Sequence, residues 1–156
     1  MAGISPTGRQ MLRQKEWEHN QCPWCDQDNK DTWHVLQCRA LSAKKCWSEQ
    51  IAQLKVDLEK VRTDPMIILA VTRHLLGWYR NQDVSLRFPP LVQAAVDDQA
   101  WIGWHLLLCG RASIHWQLAQ DCWLSCQHTK WKSTGATWMM KVCRLLITFH
   151  HSVWEH

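Results

Sequence analysis

Four residues of types that bind metal ions lie close together near the N-terminus, in a stretch with no helical or strand periodicity. They follow the spacing C-x2-C-x8-H-x3-C and are Cys22, Cys25, His34 and Cys38. A CxxC turn places two thiolates around one ion. Residues four apart lie on one face of a helix, so His34 and Cys38 can bind the same ion. The spacing therefore predicts a tetrahedral CCHC zinc site.

Protein side chains fill all four positions of such a site, so none is left for a reactive water. We therefore predict that Zn²⁺ is structural and stabilises a segment too short to form its own core. Asp31 and Thr32 are positioned to cap a short helix that carries His34. The alternative is that these are ordinary buried cysteines in a chain with eight Cys and nine His.

The N-terminal segment MAGISPTGRQMLRQKEWEHN has no apolar signal region. The longest apolar run, PMIILAVTRHLLGWY, is interrupted by Arg73 and His74 and is too short to span a membrane. We therefore expect an intracellular protein, in the nucleus or cytoplasm, with no membrane partner. In that reducing environment cysteines are thiols or metal ligands, although an even cysteine count would also suit a secreted disulfide scaffold.

Composition favours a folded chain, because 46% of its 156 residues are hydrophobic. We predict three regions: an extended arm at 1–20, the zinc nodule at 21–38 and a helical bundle at 39–156. The predicted fold class is all-α, with the small N-terminal CCHC nodule followed by about five helices.

Apolar residues recur at helical spacing from Arg39 onward, beginning with Ala43, Trp47 and Ile51. Thr63-Asp64-Pro65 is a typical helix start, and Gly110 is well placed to end a helix. The predicted helices cover about 39–61, 65–79, 91–108, 112–130 and 136–156.

The net charge of +4 is a mild bias that allows a nucleic-acid or acidic partner without requiring one. The zinc nodule is acidic, so it is poorly suited to phosphate. The following helix, at 39–62, is basic, and Lys44, Lys55 and Arg62 project together beside its apolar stripe. These three are the candidates for binding RNA or DNA. The alternative is that they form the solvated edge of a helix.

Twelve tryptophans are unusual for this length. Those in the helical region are more typical of core packing than of base stacking. Trp24 and Trp33 lie inside the nodule, where we expect packing over the metal site or against the first long helix. The tryptophans assigned to the helical core are Trp101, Trp104, Trp116, Trp123, Trp131, Trp138 and Trp154.

A second metal site at Cys122, Cys126 and His128 would need a distant fourth ligand. We therefore predict that these cysteines are buried thiols. Catalytic motifs are missing: the sequence contains no GxxxxGK[ST], GxSxG or HxE…PCxxC pattern, and the adjacent Asp97 and Asp98 diverge on a helix. We expect no enzymatic activity and no small-molecule substrate, with a small metalloenzyme as a weaker alternative.

The segment CPWCDQDNKDTWHVLQC resembles the zinc-binding segment that follows the polymerase in many retrotransposon reverse transcriptases, typically CPxCxxxxEDTxHxLxC. The preceding SPTGRQM resembles the linker that leads into it. Downstream, IGWHLLLCGRASIHWQLAQ resembles a segment of retroelement-derived proteins in diatoms and other algae, and VWEH resembles the start of their closing run. The downstream matches are Gly103, Trp104, Gly110, Arg111, Ser113, Trp116 and Gln120.

This resemblance implies the tail of a retroelement polyprotein, which helps a reverse transcriptase engage its nucleic-acid template or target. The chain contains neither a polymerase nor a ribonuclease H domain, so a relic without independent activity is an alternative. A second interpretation is a zinc-stapled helical module for protein interaction, with the acidic nodule and apolar helix faces as its surface.

Overall fold

The computed structural model describes Cys22, Cys25 and residues 32–127 and 134–154. Within these residues the chain forms α-helices and no β-strand, so the predicted all-α class is confirmed. The predicted arm at 1–20 lies outside the described residues. The helices are α1 (Thr32–Gln37), α2 (Leu41–Lys60), α3 (Pro65–Arg80), α4 (Pro90–Ile102), α5 (Trp104–Leu107), α6 (Ile114–Cys126) and α7 (Gly135–Trp154).

Helix α2 forms because its apolar residues recur every three or four positions and bury one stripe against α3 and α7. Ala43, Trp47 and Leu58 on this stripe are almost fully buried. The helix ends where Arg62 takes a left-handed φ of 57°. The Arg62 and Thr63 amides then bond the Glu59 and Leu58 carbonyls, which satisfies the last turn.

The start of α3 follows the predicted capping signal. The Asp64 side chain accepts a hydrogen bond from the Met66 amide at 2.9 Å, and Pro65 occupies the first turn. The helix ends at Asn81, whose left-handed backbone resembles that of Arg62. Both boundaries agree with the predicted helix to within one residue.

The predicted continuous helix at 91–108 is wrong, because Gly103 interrupts it with φ 117°. An L-residue rarely adopts this conformation, and an added Cβ would lie 2.6 Å from the His105 ring. The break lets α4 pack against α6 while α5 packs against α3 and α4. The following helix also begins later than predicted, since the Ser113 hydroxyl caps it by accepting from the His115 amide.

Most described tryptophans fill the core, as the helical spacing predicted. Trp47, Trp116 and Trp138 are among the largest fully buried side chains. Trp101 contradicts the prediction, because its side chain on α4 is 89% exposed. Trp131 and the side chain of Trp154 lie outside the described part of the chain.

Helix α1 is short but packs against both α3 and α7. Leu36 joins the main hydrophobic core from this helix and is 2% exposed. Through Leu36, α1 holds the N-terminal cysteine–histidine cluster against the bundle. None of the described helices combines the length and apolar character needed to cross a membrane.

Candidate metal centre and basic groove

The four predicted ligands meet at one point. The ligand atoms of Cys22, Cys25, His34 and Cys38 all lie within 4.8 Å of one another. The closest recorded approach is 3.1 Å, between Cys25 Sγ and His34 Nε2. No other group of three or more metal-binding side chains in the described residues is this close. The spacing therefore identified four residues that meet in the structure and could hold a metal ion.

Local structure explains this convergence. His34 lies in the middle of α1, and Cys38 follows the helix directly, so both side chains face the two cysteines of the CxxC segment. Cys22 and Cys38 are buried and pack with Ala43 of α2. Tyr79 on α3 donates a hydrogen bond from its hydroxyl to the Cys38 carbonyl at 2.5 Å. The cluster is thus anchored to two helices of the bundle.

The cluster has the dimensions and donors of a metal site. A tetrahedral zinc ion with sulfur at about 2.3 Å and nitrogen at about 2.0 Å places its ligand atoms roughly 3.5–3.8 Å apart. The observed limit of 4.8 Å requires only small side-chain adjustments to reach that spacing. None of the eight cysteines, all of which are described, forms a disulfide. The four residues can therefore hold a metal ion.

Protonation opposes metal binding at Cys38. Burial raises the pKa of the Cys38 thiol, and the neighbouring Cys25 thiol raises it further. Cysteine binds zinc as the thiolate, so a metal ion must displace this proton. Metal binding at the cluster should accordingly release protons.

The second cysteine cluster is not a site in the described residues. Cys122 and Cys126 are exposed, which contradicts the prediction that they are buried thiols. They lie in the last two turns of α6, beyond the buried residues of that helix, Trp116, Ala119 and Gln120. His128 lies outside the described residues, as do Trp24 and the side chain of Trp33.

Of the three cations predicted to bind nucleic acid, Lys44 and Lys55 lie on α2 and Arg62 lies just beyond its end. Lys44 lines a cavity of about 280 Å³, and Lys55 and Arg62 line an open cavity of about 800 Å³. Ser48 and Leu76 line both cavities, so the two form an adjoining pair between α2 and α3. We call this pair the basic groove.

Three further cations line the basic groove and were missed from the sequence. Arg73 and Arg80 come from α3, and Arg39 precedes α2. Glu59 is the one acidic side chain among the described residues that line the groove. Arg73 and Arg80 are seven residues apart, or about two helical turns, and that spacing was the available signal that they share a face.

Asp98, Ser113 and His115 form a polar cluster that resembles a catalytic triad only in composition. The Ser113 hydroxyl donates to Asp98, and both Ser113 Oγ and Asp98 Oδ2 contact the same nitrogen, Nδ1 of His115. The histidine therefore does not bridge the serine and the carboxylate. The hydrogen bond from Ser113 lowers the pKa of Asp98, and the cluster caps α6.

No model of a known protein family matches the chain, and no curated protein or solved structure matches it. The likeness to reverse transcriptase tails therefore stays a prediction from the residues quoted above.

Proposed function

We propose that this chain is a non-catalytic, zinc-stabilised helical module that binds RNA or DNA in the basic groove. In this proposal it acts in the nucleus or cytoplasm and helps a reverse transcriptase engage its template or target. The reverse transcriptase role rests on the CPWCDQDNKDTWHVLQC resemblance. Nucleic-acid binding rests on the groove itself.

One observation supports nucleic-acid binding above all others: cations from α2, from α3 and from the residues flanking α2 line two adjoining cavities. Lys44 and Lys55 are separated by about 17 Å along α2 at 1.5 Å per residue, and Arg62 lies beyond the end of that helix. Several phosphates of one strand fit along that length. Lysine and arginine that neutralise phosphates release bound counterions, which gives affinity with a steep salt dependence. The cations concerned are Arg39, Lys44, Lys55, Arg62, Arg73 and Arg80.

The proposed zinc ion is structural. Three thiolates and one imidazole are the donors that zinc accepts in closed sites, and they leave no open coordination position. Bound zinc would hold α1 and the CxxC segment against α3, whose Tyr79 bonds the Cys38 carbonyl. Its role is to fix the fold that forms one end of the groove.

The nucleic-acid proposal is tested by titrating labelled RNA and DNA at several salt concentrations. We expect affinity to fall steeply with salt. Lys55→Glu and Arg73→Glu should each weaken binding and reduce the logarithmic salt slope by about 1. Lys141→Glu on α7 is the matched control, since Lys141 is exposed and does not line the groove. Absence of binding at low salt contradicts the proposal.

The zinc proposal is tested by metal analysis of purified variants. Wild-type protein should contain one zinc per chain, and Cys22→Ser should lose it. Cys122→Ser is the matched control, because this exposed thiol lies outside the cluster. A different metal, or full zinc content in Cys22→Ser, would refute the assignment.

Protein interaction is the second candidate, and the floor of the basic groove favours it. Ile51, Ile68 and Leu69 line the wider cavity with partly exposed Met66. An amphipathic helix with acidic flanks would suit such a surface. This candidate gains support only if the salt titration detects no nucleic acid.

A further inference from the structure

A separate cavity of about 510 Å³ lies where α1, α3, α4 and α5 meet the segment after α3. Its volume falls in the range of ligand sites, roughly 300–1,000 Å³. Its walls combine aromatic rings with side-chain amides. We call it the aromatic cavity, and its chief lining residues are Gln37, His74, Trp78, Asn81, Gln82 and Trp104.

The aromatic rings of this cavity are held in place by one another. The His74 imidazole stacks on the Trp104 indole, with centroids 4.7 Å apart and planes 9° apart. Trp78 is only partly buried, and its indole lies beside the His105 ring at 6.2 Å. Fixed aromatic faces are the surfaces on which unpaired bases stack, at a gain of about 1–3 kcal/mol per base.

The cavity is lined by side-chain amides of the kind that can hydrogen-bond to a base edge. Gln37, Asn81 and Gln82 each carry both a donor and an acceptor, as base edges do. His74 Nε2 is buried and has no hydrogen-bond partner in the part of the chain that the structure describes. A buried polar atom without a partner is costly, and because Nε2 is not exposed, a ligand in the cavity can bond it only after the His74 ring turns.

The aromatic cavity lies next to the basic groove. Gln82 and Asp83 also line a neighbouring cavity of about 300 Å³, whose other walls include Arg73 and Arg80. Both arginines also line the basic groove. A strand whose phosphates follow these arginines therefore reaches the aromatic rings without leaving the surface.

We infer that the aromatic cavity holds one unstacked base of a single-stranded nucleic acid bound in the basic groove. The inference rests on the proposed function and adds the class of nucleic acid. A duplex must flip a base out to use the cavity, which costs a few kcal/mol, whereas a single strand does not. The module thus distinguishes single strands from duplexes.

Gln37 links the cysteine–histidine cluster to the aromatic cavity. This residue directly precedes Cys38, and its side-chain amide donates to the Trp78 carbonyl at 3.4 Å. Loss of metal should release this wall of the cavity. Removing the metal should therefore weaken single-strand binding more than duplex binding.

The test compares end-labelled single strands with a hairpin duplex of matched sequence, by fluorescence anisotropy at low salt. We expect wild-type protein to prefer the single strand at least ~10-fold. Trp78→Ala should weaken single-strand binding by about 5- to 150-fold, the loss of one stacked base, and leave duplex binding unchanged. Trp101→Ala is the matched control, because Trp101 is 89% exposed and does not line the cavity.

Crosslinking of wild-type protein to a single strand tests the same cavity even if Trp78→Ala does not fold. Wild-type protein is irradiated with a single strand that carries 5-iodouracil, and the modified peptide is identified by mass spectrometry. Crosslinks at Trp78, His74 or Trp104 support the cavity. Crosslinks confined to other residues overturn it, as does equal affinity of wild-type and folded Trp78→Ala protein for the single strand. If the cavity is overturned but salt-dependent binding persists, the proposed function still stands. If wild-type protein binds no nucleic acid at all, both the proposed function and the cavity inference are refuted.

Discussion

At the scale of single residues, Gln99 shows how one buried amide holds an irregular segment in place. Its Nε2 donates to the Gly103 and Arg111 carbonyls, and its Oε1 accepts from the Ser113 amide and the Trp116 indole. These bonds satisfy the backbone where α4 ends and α6 begins. The side chain is 0% exposed.

Replacing Gln99 should therefore be costly. Gln99→Leu leaves buried donors and acceptors without partners, and we expect a loss of about 3 kcal/mol in the free energy of unfolding. Urea denaturation measures this loss. Gln53→Leu on the exposed side of α2 is the control and should change stability by less than about 0.5 kcal/mol. A similar loss for both variants would show that the bonding of Gln99 is not the cause.

Arg62 has two separable roles. Its φ of 57° strains a non-glycine residue at the end of α2, while its side chain lines the basic groove. Arg62→Gly should raise the free energy of unfolding by up to about 1 kcal/mol and yet weaken nucleic-acid binding. Thermal unfolding and a salt titration measure the two effects on one protein. A variant that loses both stability and affinity would contradict this separation.

At the scale of elements, α1 depends on contacts made by other helices. Six residues are too few for a stable isolated helix, so its position relies on the metal cluster, Leu36 and the Tyr79 hydrogen bond. Tyr79→Phe removes that bond, and we expect a loss of about 1 kcal/mol in stability with weaker zinc retention against a chelator. Ser125→Ala, which removes an exposed hydroxyl bond to the Cys122 carbonyl, should change neither.

The helices that the sequence predicted well carry their own boundary signals. Asp64 and Pro65 define the start of α3 locally, and the stripe through Trp47 and Leu58 defines α2. The interruption at Gly103 was missed because the predicted helix pattern continues through it, and the Gln99 bonds to the Gly103 carbonyl and the Ser113 amide appear only in the structure.

The candidate site likewise has some residues that the local sequence identifies and others that only the folded structure identifies. Its candidate metal ligands follow from spacing within one short segment, and Lys44, Lys55 and Arg62 follow from the register of the helix predicted at 39–61 and its end. Arg73, Arg80 and the aromatic cavity require knowing which helices lie side by side. Exposure of Trp101 could not be foreseen either, since helical spacing does not reveal which face lacks a neighbour.

At the scale of the whole molecule, one core connects the metal cluster to the C-terminal helix. Tyr79, which bonds the Cys38 carbonyl, stacks on Trp47 at 4.5 Å. The Trp47 ring in turn packs edge-to-face against the Phe149 ring of α7, with ring centroids 5.0 Å apart. We therefore expect metal binding at the cysteine–histidine cluster to stabilise the bundle as a unit. Free zinc at 100 times its dissociation constant should add about 2.7 kcal/mol, visible as a higher Tm that a chelator reverses.

Acid should destabilise the whole fold through buried histidine. Burial, together with the neighbouring His151, lowers the pKa of His150 from its usual 6.5 to about 4. Burial also lowers the pKa of His74 and of His105. Above pH 6.5 these groups are neutral in both states. As the pH falls below that value, the unfolded chain binds protons first, so stability is lost progressively until the folded pKa is reached.

His150→Gln isolates this effect from acid-driven loss of metal, which affects wild-type and variant alike. Between pH 6.5 and pH 5, wild-type protein should lose about 2 kcal/mol more stability than His150→Gln. Urea denaturation at each pH, with chelator present in both series, measures the difference. Parallel stability curves for the two proteins would mean that His150 is not the group whose protonation unfolds the bundle, and the slope would then belong to His74 or His105.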